Sequence, residues 1–274
     1  MNKKLRDAVY GLAIGDALGV PYEFKKRGTF ECTGMTGYKV HGQPEGTWSD
    51  DTSMTIATAK SLKDNGGKIL THDIFDNFLA WKDEEDFNCN GVCFDIGNTT
   101  WDALATGIPR TDVDSNGNGS LMRILPLAFV DCTDEEIEEV SAITHGHEIS
   151  KKACAIYVHV ARRLLAGEKI QEIIPTLRYG KPFDRLCVID RFEERDIKSG
   201  GYVVETLEAA LWVLAKNDNF KDTVLTAVNL GKDTDTTGAV AGGLAGIIYG
   251  VDDAFARKCL EVLRGKEIID RCLW

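Results

Sequence analysis

The chain has 274 residues, 43% of them hydrophobic and 27% charged, with a formal net charge of -11 at pH 7. That length suits one large domain over 1–274 with a substantial buried core. The acidic balance excludes a general nucleic-acid binder, which needs a basic face, but leaves open a nucleotide-like ligand held locally.

Taken in chain order, helical periodicity dominates. Apolar spacing predicts helices over 3–19, 52–65, 71–82, 98–106, 120–129, 133–145, 148–166, 170–177, 202–216, 220–230, 235–249 and 252–263. No hairpin or βαβ rhythm interrupts them. Pieces rich in glycine and asparagine at 28–47, 88–97 and 110–119 read as loops, and 178–201 as a longer polar connection without a clear period. The expected fold class is therefore all-α, a single-domain multi-helix bundle.

The opening MNKKLRDAVYGLAIGDALGV carries Asp16 inside its apolar stretch and is too short and glycine-rich for a membrane span. The apolar run 239–251 is also too short. Eight cysteines are scattered without a CxxC pair, which reads as reduced thiols. A cytoplasmic protein with no membrane association is expected, with a monomer as the default.

Two of the expected helices carry glycine at every fourth position: Gly11, Gly15 and Gly19, then Gly238, Gly242, Gly246 and Gly250. That step lies along one helix face. Each glycine costs about 1 kcal/mol in a helix relative to alanine. Close backbone-to-backbone packing is the expected compensation, and it would gather Asp16, Asp233 and Asp235. A lone acid inside an apolar helix is costly to bury without partners, so Asp16 should accept hydrogen bonds.

Two aspartate clusters stand almost two hundred residues apart, Ser49-Asp50-Asp51-Thr52 and Asp233-Thr234-Asp235-Thr236. Each interleaves carboxylates with hydroxyls where a loop meets a helix. Asp, Ser and Thr are ordinary helix caps, so capping alone would account for either cluster. Together they would place four acids at one point, where hard cations such as magnesium or manganese relieve repulsion and desolvation.

Five segments, GLAIGDALGVPYEF, GTWSDDT, GNGSLMR, the Thr144-His145 step and NLGKDTDTTGAVAGGLAG, run in the order found in one family. The chain resembles the ADP-ribosylglycohydrolases over nearly its whole length. The resemblance implies an orthogonal all-α bundle around a central binuclear site for two Mg2+ or Mn2+ ions. Their ligands would be Ser49, Asp50, Asp51, Asp233, Asp235 and Thr236. It also implies hydrolysis of the glycosidic bond between ADP-ribose and an acceptor, either a modified protein side chain such as arginine or a small ADP-ribosyl conjugate. Glu23, Asp50, Asp51 and Asp235 are the implied catalytic acids. Read alone, Glu23 could instead be a surface or helix-terminal glutamate, the less favoured alternative.

The same resemblance turns GNGSLMR, otherwise an Asn-Gly turn before a helix, into a diphosphate and ribose loop of Gly117, Asn118, Gly119 and Ser120, with Ser115 and Asn116 as flanking contacts and Met122 shaping the pocket or tying the loop down. Arg123 would shape the pocket or tie the loop down. His145 matches a histidine beside ADP-ribose, whereas His147, two residues on, reads as a cap or surface group. Asp95 matches a loop acid closing over the site but also suits a turn, and Tyr202 would either stack on a base or pack. Two other functions fit the acid clusters: a two-metal nucleotide phosphohydrolase, and a protein that binds ADP-ribose or blocks a toxin without turnover.

Overall fold

The protein, a computed structural model describing residues 2–274, folds into twelve α-helices and seven 3-10 turns, with no strand among the described residues. The helices are α1 (Lys3–Gly19), α2 (Asp50–Asp64), α3 (Thr71–Asp83), α4 (Asn98–Thr106), α5 (Asp134–Ser141), α6 (Glu148–Leu165), α7 (Ile170–Ile173), α8 (Val203–Lys216), α9 (Phe220–Asn229), α10 (Thr234–Tyr249), α11 (Ala254–Val262) and α12 (Lys266–Cys272).

Helices α1 and α10 form the central pair. Residues 7–19 of α1 and 234–247 of α10 are all buried, and α2, α6, α8 and α9 pack around them. The glycine face makes this possible. A Cβ on Gly15 would lie 2.0 Å from the carbonyl oxygen of Gly238, and one on Gly238 would lie 2.4 Å from that of Gly15. Real Cβ atoms do not approach oxygen so closely, so the backbones meet only because both positions are glycine. Gly250 stands apart from the set: it ends α10 with a φ of 71°, a conformation that favours glycine.

Proline explains two departures from the periodicity. The helix expected over 120–129 is instead two 3-10 turns, Asn118–Ser120 and Leu125–Phe129, because Pro126 lacks an N–H and its ring clashes one turn back. The helix expected over 170–177 stops at Ile173 and tightens into a 3-10 turn around Pro175. Helix α12, unanticipated, is seven residues long, too short to show a period. The polar connection 178–201 holds two further 3-10 turns pinned by buried Leu186, Ile189 and Ile197.

All eight cysteines are free thiols. No described helix is long and apolar enough to cross a membrane.

Candidate active site

Asp16 joins the central pair to α2. It is fully buried, and its carboxylate accepts from the Ser49 N–H (2.9 Å), the Thr52 N–H (3.1 Å) and the Thr52 hydroxyl (2.6 Å). It therefore satisfies free N–H groups at the α2 N-terminus, a favourable place for an anion. Burial lifts its pKa to about 6 against the opposing pull of these hydrogen bonds.

The two aspartate clusters meet at one atom. Asp51 Oδ2 accepts from the Ser49 hydroxyl at 3.1 Å and from the Thr236 hydroxyl at 3.3 Å, joining residues 185 positions apart. Thr234 turns away, donating to the Gly19 carbonyl at 2.8 Å. That leaves Asp233 and Asp235 on the site side. Asp233 accepts from Asn118 Nδ2 at 2.8 Å, which ties the GNGS loop to the second cluster.

Two carboxylate oxygens of this centre, Asp51 Oδ1 and Asp235 Oδ2, are buried without a hydrogen-bond donor. Burial first, then mutual repulsion with neighbouring acids, pushes the pKa values of Asp50, Asp51 and Asp235 well above the carboxylate range. Orphaned, crowded carboxylate oxygens flanked by hydroxyls are a donor set suited to a hard divalent cation.

Above this centre opens a cleft of about 540 Å³, lined by Glu23, Asp50, Asp95, Asn118, His145 and Asp233 among others. Glu23 is only 7% exposed, which disposes of its reading as a surface residue. Burial, and then the charge of Asp233, raises it to about 8. Asp95, in a left-handed turn with a φ of 66°, is raised to about 7, chiefly by burial.

His145 is buried beside the loop. Its Nδ1 lies 2.7 Å from the Thr144 hydroxyl, which accepts from Arg123 at 3.0 Å. With Arg123 supplying the proton that Thr144 accepts, the hydroxyl gives its own to Nδ1. This network assigns the imidazole N–H to Nε2, toward Gly117. Burial and the Arg123 charge lower the His145 pKa to about 3, so it is a neutral donor. Arg123 is fully buried and holds the Gly119 carbonyl at 3.0 Å: it ties the loop down. His147 caps α6 by accepting from the Ile149 N–H.

The remaining loop residues divide. Gly117, Asn118, Gly119 and Met122 face the cleft. Ser115 instead donates to Asp112, Asn116 accepts from Ser150, and Ser120 is buried against Ser141, so these three support the loop from behind. Tyr202 heads α8, 38% exposed, bridged to Gly117 and adjacent to the cleft residue Gly201. Sequence reasoning missed Phe24, Asp114 and the 98–100 segment on the cleft wall, and His41, which hydrogen-bonds Glu23. Of these, only 98–100 lies in a periodic pattern, at the start of an expected helix; long-range folding brings all of them here.

Comparison with known proteins follows the same lines. The family model for ADP-ribosylglycohydrolases matches residues 1–273. The chain is 33% identical to an ADP-ribosylarginine hydrolase of Pseudomonas putida, over 90% of this chain and 71% of that one. It is 32% identical to the ADP-ribosyl-dinitrogen reductase glycohydrolase of Rhodospirillum rubrum, over 90% of this chain and 85% of that one. A solved ADP-ribosylglycohydrolase-related protein complex superposes with a TM-score of 0.81 at 31% identity, covering 98% of this chain and 95% of that one.

Proposed function

The chain belongs to the ADP-ribosylglycohydrolase family, and from that premise we propose that it hydrolyses the glycosidic bond between ADP-ribose and a modified protein side chain, releasing ADP-ribose. The observation that carries this reading is Asp51 Oδ2, where both acid clusters converge beneath Asp50, Asp233 and Thr236, which line a ligand-sized cleft. Residues 1–274 would act as one domain, since helices from both ends of the chain build the site.

Ser49, Asp50, Asp51, Asp233, Asp235 and Thr236 would hold two divalent cations, magnesium or manganese; the buried donorless oxygens of Asp51 and Asp235 fit that role. Bound there, such ions supply orientation of ribose hydroxyls and a lowered pKa for water.

The chain's own groups supply the rest. Gly117 and Gly119 let the loop backbone approach a diphosphate, and His145 Nε2–H donates to an oxygen of the ligand without changing charge. Tyr202, 38% exposed and next to the cleft residue Gly201, would stack on a base. Positive charge developing at the anomeric carbon is stabilised by nearby carboxylates. Glu23 stands at the cleft, so it is the candidate to protonate the leaving group, with Asp50 and Asp51 as the other candidate acids.

Arginine is the acceptor we favour. The relative in Pseudomonas putida is an ADP-ribosylarginine hydrolase. The carboxylates of Asp95 and Asp114 on the cleft wall also complement a guanidinium. Product analysis after incubation with arginine-ADP-ribosylated protein tests the reading. Free ADP-ribose and unmodified arginine are expected. AMP with a phosphoribosyl group left on the arginine would indicate diphosphate cleavage, and tight ADP-ribose binding without product would indicate a binding protein.

A further inference from the structure

Phe24 follows Glu23 and is the only phenylalanine, tyrosine or tryptophan among the described residues lining the cleft. It is 70% exposed and has a left-handed φ of 62°. A bulky residue keeps that conformation only where its surroundings impose it. Here the Phe24 N–H donates to the Lys232 carbonyl at 2.6 Å, and the Lys232 N–H donates to the Lys25 carbonyl at 2.6 Å. Lys232 is itself left-handed, with a φ of 64°. Arg27 fastens the same segment, donating to the carbonyls of Leu230 at 2.9 Å and Ile197 at 2.6 Å. The turn after Glu23 and the turn leading into Asp233 are thus clamped together, and the clamp keeps an aromatic ring out of the core and at the cleft. Its centroid lies 6.0 Å from that of His41, the hydrogen-bond partner of Glu23.

The cleft beside this ring is acidic. Glu23, Asp50, Asp95, Asp114 and Asp233 line it, and no lysine or arginine does among the described residues. Asp95 and Asp114 lie outside the set of proposed cation ligands, so they are free to meet a cationic acceptor. We propose that Phe24 is a specificity-determining residue: its ring face stacks on the guanidinium of ADP-ribosylated arginine and selects that linkage over an uncharged oxygen linkage such as serine, a step that rests on the reading of the cleft as an ADP-ribosylarginine hydrolase site. The guanidinium is planar, delocalised and weakly hydrated, so it stacks on an aromatic face. A serine oxygen offers nothing to stack. A leaving group that takes a proton from Glu23 must lie beside that residue, and the next side chain in the sequence is Phe24. The two contacts do not compete, because carboxylates accept from the edge of a guanidinium while a ring covers its face.

Steady-state hydrolysis of an arginine-ADP-ribosylated peptide by the wild type, Phe24→Leu and Phe24→Tyr tests this, with inhibition by free ADP-ribose measured alongside. Leucine keeps the apolar bulk and loses the ring face, whereas tyrosine keeps the face. The guanidinium is cationic before the bond breaks, so the contact is made in the bound substrate and its loss should appear in KM. KM of Phe24→Leu should rise about threefold to thirtyfold, the scale of a cation–ring contact, with kcat nearly unchanged. Inhibition by ADP-ribose, which carries no guanidinium, should change less than about twofold, and Phe24→Tyr should match the wild type. Equal weakening of peptide and ADP-ribose in Phe24→Leu would overturn the proposal, since the ring would then only shape the ADP-ribose site. So would an unchanged KM. Wild-type release from a serine-ADP-ribosylated peptide but not from the arginine peptide would overturn it while leaving a hydrolase. Release from neither would overturn the hydrolase reading and the proposal together. At 70% exposure the side chain adds little to the core, so both variants should fold with the melting temperature of the wild type.

Discussion

Gly19 and Asp235 touch backbone to backbone: a Cβ added at Gly19 would lie 2.3 Å from the Asp235 Cα. The last turn of α1 is therefore the surface against which the second acid cluster is set. Gly19→Ala must push the start of α10 away, and overpacking of this kind costs about 1–3 kcal/mol. We predict a lowered melting temperature and weakened manganese binding together. Gly34→Ala, where an added Cβ meets nothing within 4 Å, should change neither. Thermal melts and metal titrations of the two variants check this.

Asp16 organises the first cluster in the same indirect way. Asp16→Ala would leave the Ser49 and Thr52 N–H groups and the Thr52 hydroxyl without their acceptor. Each buried orphan costs about 1–3 kcal/mol, so a loss of at least about 2 kcal/mol is expected by denaturant unfolding. Asp16→Asn keeps one acceptor oxygen and should lose less. Equal losses would contradict the role of the carboxylate as a shared acceptor.

The site acids predict a characteristic pH dependence. Folding without cations raises Asp16 from 3.8 to about 6, Asp95 from 3.8 to about 7 and Glu23 from 4.5 to about 8. A carboxyl raised by folding contributes stability that is full below its unfolded pKa and lost as pH rises through its folded pKa. Chelator-treated protein should thus lose stability from about pH 4 up to about pH 8, most steeply at the acid end where all three groups contribute. Added manganese replaces the bound protons, so the gain in melting temperature should be larger at the upper end of that window. A gain that is greater at the acid end would contradict the assignment.

His145 should not titrate where most histidines do. With its pKa lowered to about 3, its ring NMR shifts should stay flat from about pH 5 to about pH 8. An inflection near pH 6.5, the ordinary value for histidine, would show that it is not the neutral donor described here.

Much of this was legible in the sequence because the signals were local. The glycine step of four announced the α1–α10 contact. An isolated acid in an apolar helix announced that Asp16 needed donors. Proline was underweighted at 126 and 175, where it converts expected helix into 3-10 turns. Ser120 shares a motif with the cleft residues and Ser115 and Asn116 immediately precede it, but adjacency in sequence does not say which side of a loop faces a ligand. His41 was illegible for a different reason: its importance lies entirely in contacts with Glu23 and Asp95, made by a loop without period.

The most direct test of the account is release of free ADP-ribose from arginine-ADP-ribosylated protein by the wild type, Asp51→Asn and Asp235→Asn, with manganese or magnesium and then with EDTA. The account predicts release by the wild type that depends on the cation and falls by at least about a hundredfold, or about 2.7 kcal/mol of barrier, in either variant. Undiminished release in EDTA, or by either variant, would contradict it.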